Sequence, residues 1–331
     1  MKKLFALIMG TVAVAGCLSD REMPECYKDP AYRDSVLLAN HVTSYEKDTK
    51  DEVLEDLRGG LMAPGEDTLM AYGKELEGIS DDDLKFLKYI YAEYAELAEV
   101  SEYAYKDTGI ILPDGWTDIG TTDEEIASLI SRLDMSIGLK CALLSRDDRY
   151  VLAFAGTDIP ADWKDFGQVI GFLKDAYENV TGAFRDDAFQ VTVASSLVEK
   201  LISAGKVTLG RLEFTGHSLG GRLASEMAAR YGRPAVVFNA AGVAPSLYGQ
   251  YESARADAPE SWKGYIVDIT SANDMLTRLQ RFATGLSQTR DFRSIGAHLH
   301  LSESMTGHGI APLSACLRAR SEACEKELKS R

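Results

Sequence analysis

The chain has 331 residues, 45% hydrophobic and 26% charged, which is enough for one large domain or two modest ones with ample core. The formal net charge of −15 argues against nucleic acid as a partner and supplies no long-range attraction to anionic lipid.

The N-terminus begins with a positive Met1-Lys2-Lys3, followed by an apolar run over 4–15. That run is too short to span a bilayer as a helix and has the pattern of an export signal, so residues 1–16 are set aside from the fold. The signal ends in Val14-Ala15-Gly16-Cys17, which resembles the lipobox of bacterial lipoproteins. In that class the signal is cut before the cysteine, and the cysteine is acylated. The resemblance implies Cys17 as a lipidated N-terminus, a membrane partner reached through that anchor, and a place in the bacterial cell envelope. Leu18 and Ser19, rather than Asp, follow the cysteine. In a Gram-negative cell this favours the outer membrane. A plain secretory signal is the alternative.

Residues 17–79 read as a tether and an N-terminal helical extension. The first part is polar and holds Pro24 and Pro30; the stretch 35–78 is acidic and interrupted by Gly59-Gly60 and Pro64-Gly65. Residues 80–331 read as one domain. Ser80 is the expected cap of a long helix whose stripe is Leu84, Leu87, Tyr91, Tyr94, Ala98 and Ser101, ending near Tyr105. Ile137, Leu139, Cys141 and Leu143 alternate as a strand, residues 146–149 turn, and 150–154 form a continuous apolar strand. Further apolar runs fall at 212–214, 235–238, 265–270 and 295–301, separated by helical stretches near 190–204, 221–231 and 310–328. Strand–helix alternation predicts an α/β fold: a mostly parallel sheet flanked by helices. Cys316 and Cys324 share one predicted helix about 12 Å apart, too far for a disulfide. Cys141 is expected to be a buried thiol.

Chemistry concentrates at "FTGHSLGG", residues 214–221. Here Gly216-His217-Ser218-Leu219-Gly220 follows a predicted strand and opens a predicted helix, the setting of a nucleophile elbow. Ser218 is the candidate nucleophile. It needs a base and an orienting acid. Of five histidines, His217 adjoins the serine on a bend that turns neighbouring side chains apart, and His41 lies in a poorly patterned region. His298, His300 and His308 remain. His308, in a Gly-His-Gly loop before the last helix, is favoured over His298 and His300. The acid is Asp274, just past a strand run, or Asp268 within it. The pair at 298 and 300 lacks the companions of a metal site, so no metal and no cofactor are expected. "AFAGTDIPADWKD", residues 153–165, ends a strand at Gly156-Thr157; Thr157 and the amide of Leu219 are the candidate oxyanion donors.

Taken together, "FTGHSLGGRLAS", "AFAGTD…DW", "NDML" and a late histidine resemble the lipase class 3 family, the fungal-lipase-like α/β-hydrolases, over about residues 85–325. The resemblance implies Ser218 as nucleophile, Asp274 as triad acid and Thr157 in the oxyanion hole. Ala155 departs from the arginine usual at that position, and the Asp274–His308 interval is short. A family lid covers the site near 163–184, where Phe166, Val169, Ile170, Phe172, Leu173 and Tyr177 recur; a core helix is the equal alternative. The expected activity is hydrolysis of lipid carboxylic esters, of the lipase or phospholipase A1 kind, on a phospholipid, lysophospholipid or acylglycerol. The alternatives are a short-chain or feruloyl-type esterase and a non-catalytic envelope lipoprotein on a hydrolase fold.

Overall fold

Seven strands lie side by side in the order of the chain. In the computed structural model the elements are α1 (Asp81–Tyr103), β1 (Thr117–Asp118), α2 (Ile119–Thr122), α3 (Glu124–Ile137), β2 (Cys141–Arg146) and β3 (Arg149–Phe154). They continue with α4 (Asp186–Ser203), β4 (Leu212–His217), α5 (Leu219–Tyr231), β5 (Ala235–Phe238), β6 (Ile266–Ser271), β7 (Ala297–Leu301) and α6 (Ile310–Ser330). The structure describes residues 76, 81–106, 109–137, 139–156, 186–243, 247, 249–251, 253, 266–271, 274, 276–277, 294–301 and 307–331. The export signal 1–16, Cys17, nearly all of 17–79, the Ser80 cap, Thr157 and the 163–184 segment lie outside them.

The first three strands pair antiparallel and β3 to β7 pair parallel, so the sheet is mostly parallel and flanked by helices as expected. The β2–β3 hairpin pairs Arg146 with Arg149 and turns through Asp147, whose φ of 53° suits a short polar residue. Parallel strands must be buried on both faces, and successive side chains alternate. Val151 and Ala153 of β3, with Val267 and Ile269 of β6, join one apolar cluster under α1 and α6. Leu152 and Phe154, with Phe214 of β4, join the opposite cluster under α3, α4 and α5. Phe154 and Phe214 stack at 6.5 Å. Burying a side chain of that size stabilises the fold by about 1.5–3 kcal/mol.

The expected stripe of α1 is buried, but Phe86, Ile90, Leu97 and Val100 are buried too. The helix lies between the sheet and α6, so more than one face is apolar. Glu99 of α1 accepts from Arg318 at 2.6 Å and from Ser314 at 3.0 Å, both on α6. At the amino edge of the sheet, Arg149 bonds Glu213 at 2.6 Å and pairs with Glu93, and Arg146 pairs with Glu96 and lies 4.6 Å over Trp116.

The expected strand at Ile137 is corrected: Ile137 closes α3, and the strand starts at Cys141. Asp123 accepts from the amides of Glu125 and Ile126 at 3.0 and 3.2 Å, and Ile126 and Ile130 are buried one helical turn apart. The capped helical stripe overrides the short alternation at 137–139. Cys141 and Cys324 are buried and Cys316 is half-buried, and none of the three is in a disulfide.

Candidate active site

The parallel strands all end at one edge, where ligands bind in open α/β sheets. There β4 turns into α5 at Ser218, which has φ 59° and ψ −125°. A non-glycine residue in such a conformation costs about 1–3 kcal/mol and persists only where its surroundings enforce it. The Ser218 amide donates to the Phe238 carbonyl at 3.1 Å, and the Ser218 carbonyl accepts from Ala241 at 3.0 Å and Arg222 at 3.2 Å. The glycines make room: a Cβ at Gly216 would sit 2.3 Å from the Gly220 carbonyl oxygen, and one at Gly220 only 2.1 Å from that of Phe154. Leu219 opens α5, and the first amides of a helix lack intrahelical acceptors and carry partial positive charge.

The strand end at Gly156 packs directly on this bend. An added Cβ there would lie 2.9 Å from Ser218 Cβ and 2.8 Å from the Tyr105 hydroxyl. Thr157 follows immediately but lies outside the described residues.

Asp274 is fully buried past β6. Its Oδ2 accepts from the Thr277 amide at 2.7 Å and from the Thr277 hydroxyl, and its Oδ1 faces His308 Nδ1 at 2.6 Å. Burial pushes the carboxyl pKa up, but His308 and the Thr277 donors outweigh this and hold it below its ordinary value. Asp274 is therefore an anion at neutral pH, and the His308 Nδ1–H donates to it; in the neutral ring Nε2 is then the acceptor. The His308 side chain is 17% exposed.

The competing residues stand elsewhere. Asp268 accepts from Ser294 Oγ at 2.5 Å and from the Ala240 amide at 3.4 Å. His298 and His300 lie on β7 in register with Asp268 and Thr270. Among the described residues there is no group of three or more His, Cys, Asp or Glu that could hold a metal, and no helix long and apolar enough to cross a membrane.

Sequence reasoning missed the residues that hold the His308 loop. Gly307, at φ 69°, presents its carbonyl to Ser271 Oγ at 2.6 Å and to Asn239 Nδ2 at 3.5 Å. Asn239, itself at φ 43°, accepts from the Ser271 amide at 2.9 Å. His217 donates from Nε2 to the His308 carbonyl at 2.6 Å, with the two rings 4.7 Å apart. The available signal was position: His217 and Ser271 end apolar strand runs, and Asn239 follows one directly, each at the carboxyl edge of the sheet.

Comparison with known proteins extends this picture. The chain is 31% identical over 201 residues to the extracellular phospholipase A1 of Serratia liquefaciens. That alignment covers 54% of this chain and 55% of the relative, so the chain spans about half the length of the protein it matches. The motifs quoted above resemble lipase class 3, whereas the family whose sequence model matches is phospholipase-like, described as a Tle-like phospholipase domain, over residues 96–324. That match runs from the middle of α1 to the last turns of α6 and takes in the whole sheet and its carboxyl edge. This chain belongs to that phospholipase-like family.

Proposed function

We propose that the protein is a serine hydrolase that cleaves a carboxylic ester of a phospholipid or related lipid. The observation that carries this reading is that a serine in a strained strand-to-helix bend and a buried carboxylate–imidazole pair both stand at the carboxyl edge of the parallel strands. Ser218 Oγ attacks the ester carbonyl while His308 Nε2 takes its proton. Asp274 holds the imidazole in the Nδ1–H tautomer and stabilises the imidazolium that forms. The oxyanion lies against the Leu219 amide at the start of α5, with Thr157 as the second donor. His308 returns the proton to the departing alcohol. Water then attacks the acyl-enzyme with His308 as base, releasing the fatty acid and restoring Ser218. The chain's motif likeness to lipase class 3 enzymes supports assigning the roles in this order.

The phospholipase A1 relative favours ester cleavage on a glycerophospholipid and a bacterial setting outside the cytoplasm. A Cys17 anchor would hold the enzyme on an envelope membrane, with residues 18–79 as tether and extension and residues 80–331 as the hydrolase domain. Hydrolysis of phospholipid vesicles and of p-nitrophenyl esters of rising chain length, with Ser218→Ala as control, tests the chemistry. Equal activity in the control ends the reading. Incorporation of labelled palmitate, lost in Cys17→Ala, tests the anchor.

A further inference from the structure

The imidazole of His217 is buried at the end of β4, immediately before the proposed nucleophile. Its Nε2 meets the main-chain carbonyl of His308 at 2.6 Å, and its Nδ1 meets the Tyr105 hydroxyl at 2.8 Å. A carbonyl only accepts, so Nε2 carries the proton. In the neutral ring Nδ1 is then an acceptor, and the Tyr105 O–H donates to it. One tautomer satisfies both partners. Burial and the neighbouring His308 push the His217 pKa down to about 3, in agreement with a neutral ring.

The donor comes from the end of the strand that leads into Ser218, and the acceptor is the backbone of His308. The contact therefore sets the height of the His308 loop against the serine. Asp274 fixes the rotation of the same ring, and Ser271 and Asn239 hold the preceding carbonyl. Tyr105 lies just past the end of α1 and touches the Gly156 turn as well, so it joins the long helix to both sides of the site.

We infer that His217 is a positioning residue: as the Nε2–H tautomer that the His308 carbonyl selects and the Tyr105 hydroxyl completes, it holds the His308 main chain at the distance from Ser218 that proton transfer needs. The inference rests on the reading of His308 as the base. A misplacement of about 1 Å in such a group costs on the order of 10²-fold in rate.

The test uses the full chain and its His217→Leu, His217→Gln and Tyr105→Phe variants. Each is assayed for kcat and KM on a soluble p-nitrophenyl ester and for thermal unfolding. Imidazole ¹⁵N shifts, recorded in a Ser218→Ala background, report the tautomer directly. The expected spectrum shows His217 as Nε2–H, and Tyr105→Phe, which leaves the His308 carbonyl in place, keeps that tautomer. His217→Leu lowers kcat by about tenfold to 10²-fold with KM little changed. His217→Gln, whose amide N–H reaches the same carbonyl, recovers most of that loss. Parental kcat in folded His217→Leu, no recovery in folded His217→Gln, or an Nδ1–H ring in the parent overturns the inference. If His217→Leu fails to fold, the tautomer spectra and the kcat of His217→Gln decide it: an Nε2–H ring with near-parental kcat in His217→Gln supports the inference, and a kcat in folded His217→Gln more than about tenfold below the parent overturns it. Failure of the underlying reading looks different: His308→Ala or Ser218→Ala keeps parental activity, whatever the tautomer of His217.

Discussion

Replacing Asp274 by asparagine separates charge from shape at a fully buried position. Oδ2 receives two donors, the Thr277 amide and the Thr277 hydroxyl, so the asparagine carbonyl must take that place. Its NH₂ then falls where Oδ1 was, 2.6 Å from His308 Nδ1. Two donors cannot face each other, so the ring moves its proton to Nε2. An imidazole protonated there cannot accept the serine proton. The expected loss in kcat is about 10³–10⁴-fold, or roughly 4–5.5 kcal/mol of transition-state stabilisation. Steady-state hydrolysis of a p-nitrophenyl ester measures it, with thermal unfolding to show that the variant is folded. The fall is in kcat, with KM near the parent value, because substrate does not meet position 274. A folded Asp274→Asn enzyme within tenfold of the parent would refute the argument. Either the Thr277 donors do not set the amide orientation, or His308 is not the base.

Gly216→Ala drives a Cβ to 2.3 Å from the Gly220 carbonyl and forces β4 away from α5; urea unfolding is expected to show a loss of about 3 kcal/mol. Gly210→Ala, where an added Cβ meets nothing within 4 Å, is the control and changes stability by less than about 0.5 kcal/mol. Burial, then repulsion from Glu99, raises the Glu102 pKa to about 7. Its folded value lies above its unfolded one, so its contribution is complete below the ordinary carboxyl pKa and is lost as pH rises through about 7. Glu102→Gln therefore raises the melting temperature at about pH 8, by the equivalent of ~1 kcal/mol after allowance for partial exposure, and leaves it unchanged at about pH 4. Ser271→Ala removes the 2.6 Å donor to the Gly307 carbonyl. It is expected to cost about 1 kcal/mol in urea unfolding and to lower kcat more than it raises KM.

Much of the fold was legible because its causes are local. The apolar runs over 150–154, 212–214 and 235–238 correspond to strands, since a strand buried on both faces admits little else. The helix over 124–137 was not anticipated. Its signals, an Asp123 cap and isoleucines four apart, are weak singly and were outweighed by an alternation that runs on into β2. The bend at Ser218 was legible for a steric reason: only glycine at 216 and 220 lets strand and helix approach so closely, and that requirement is written in five consecutive residues.

The partnership at the sheet edge was not legible to the same degree. Asp268 and Asp274 are both acids at or beyond the same strand, and His298, His300 and His308 all follow it, so residue type leaves the pairing open. Sheet register and the loops that close on its edge bring Asp274 Oδ1 to His308 and give Asp268 to Ser294 instead. His217 shows the same division. Its place beside Ser218 comes from the chain, but its two partners lie 112 and 91 residues away, and nothing in its neighbours names them. A short segment specifies its own turn because sterics act between adjacent residues. Which imidazole meets which carboxylate depends on how separate strands stack, and only the assembled sheet decides that.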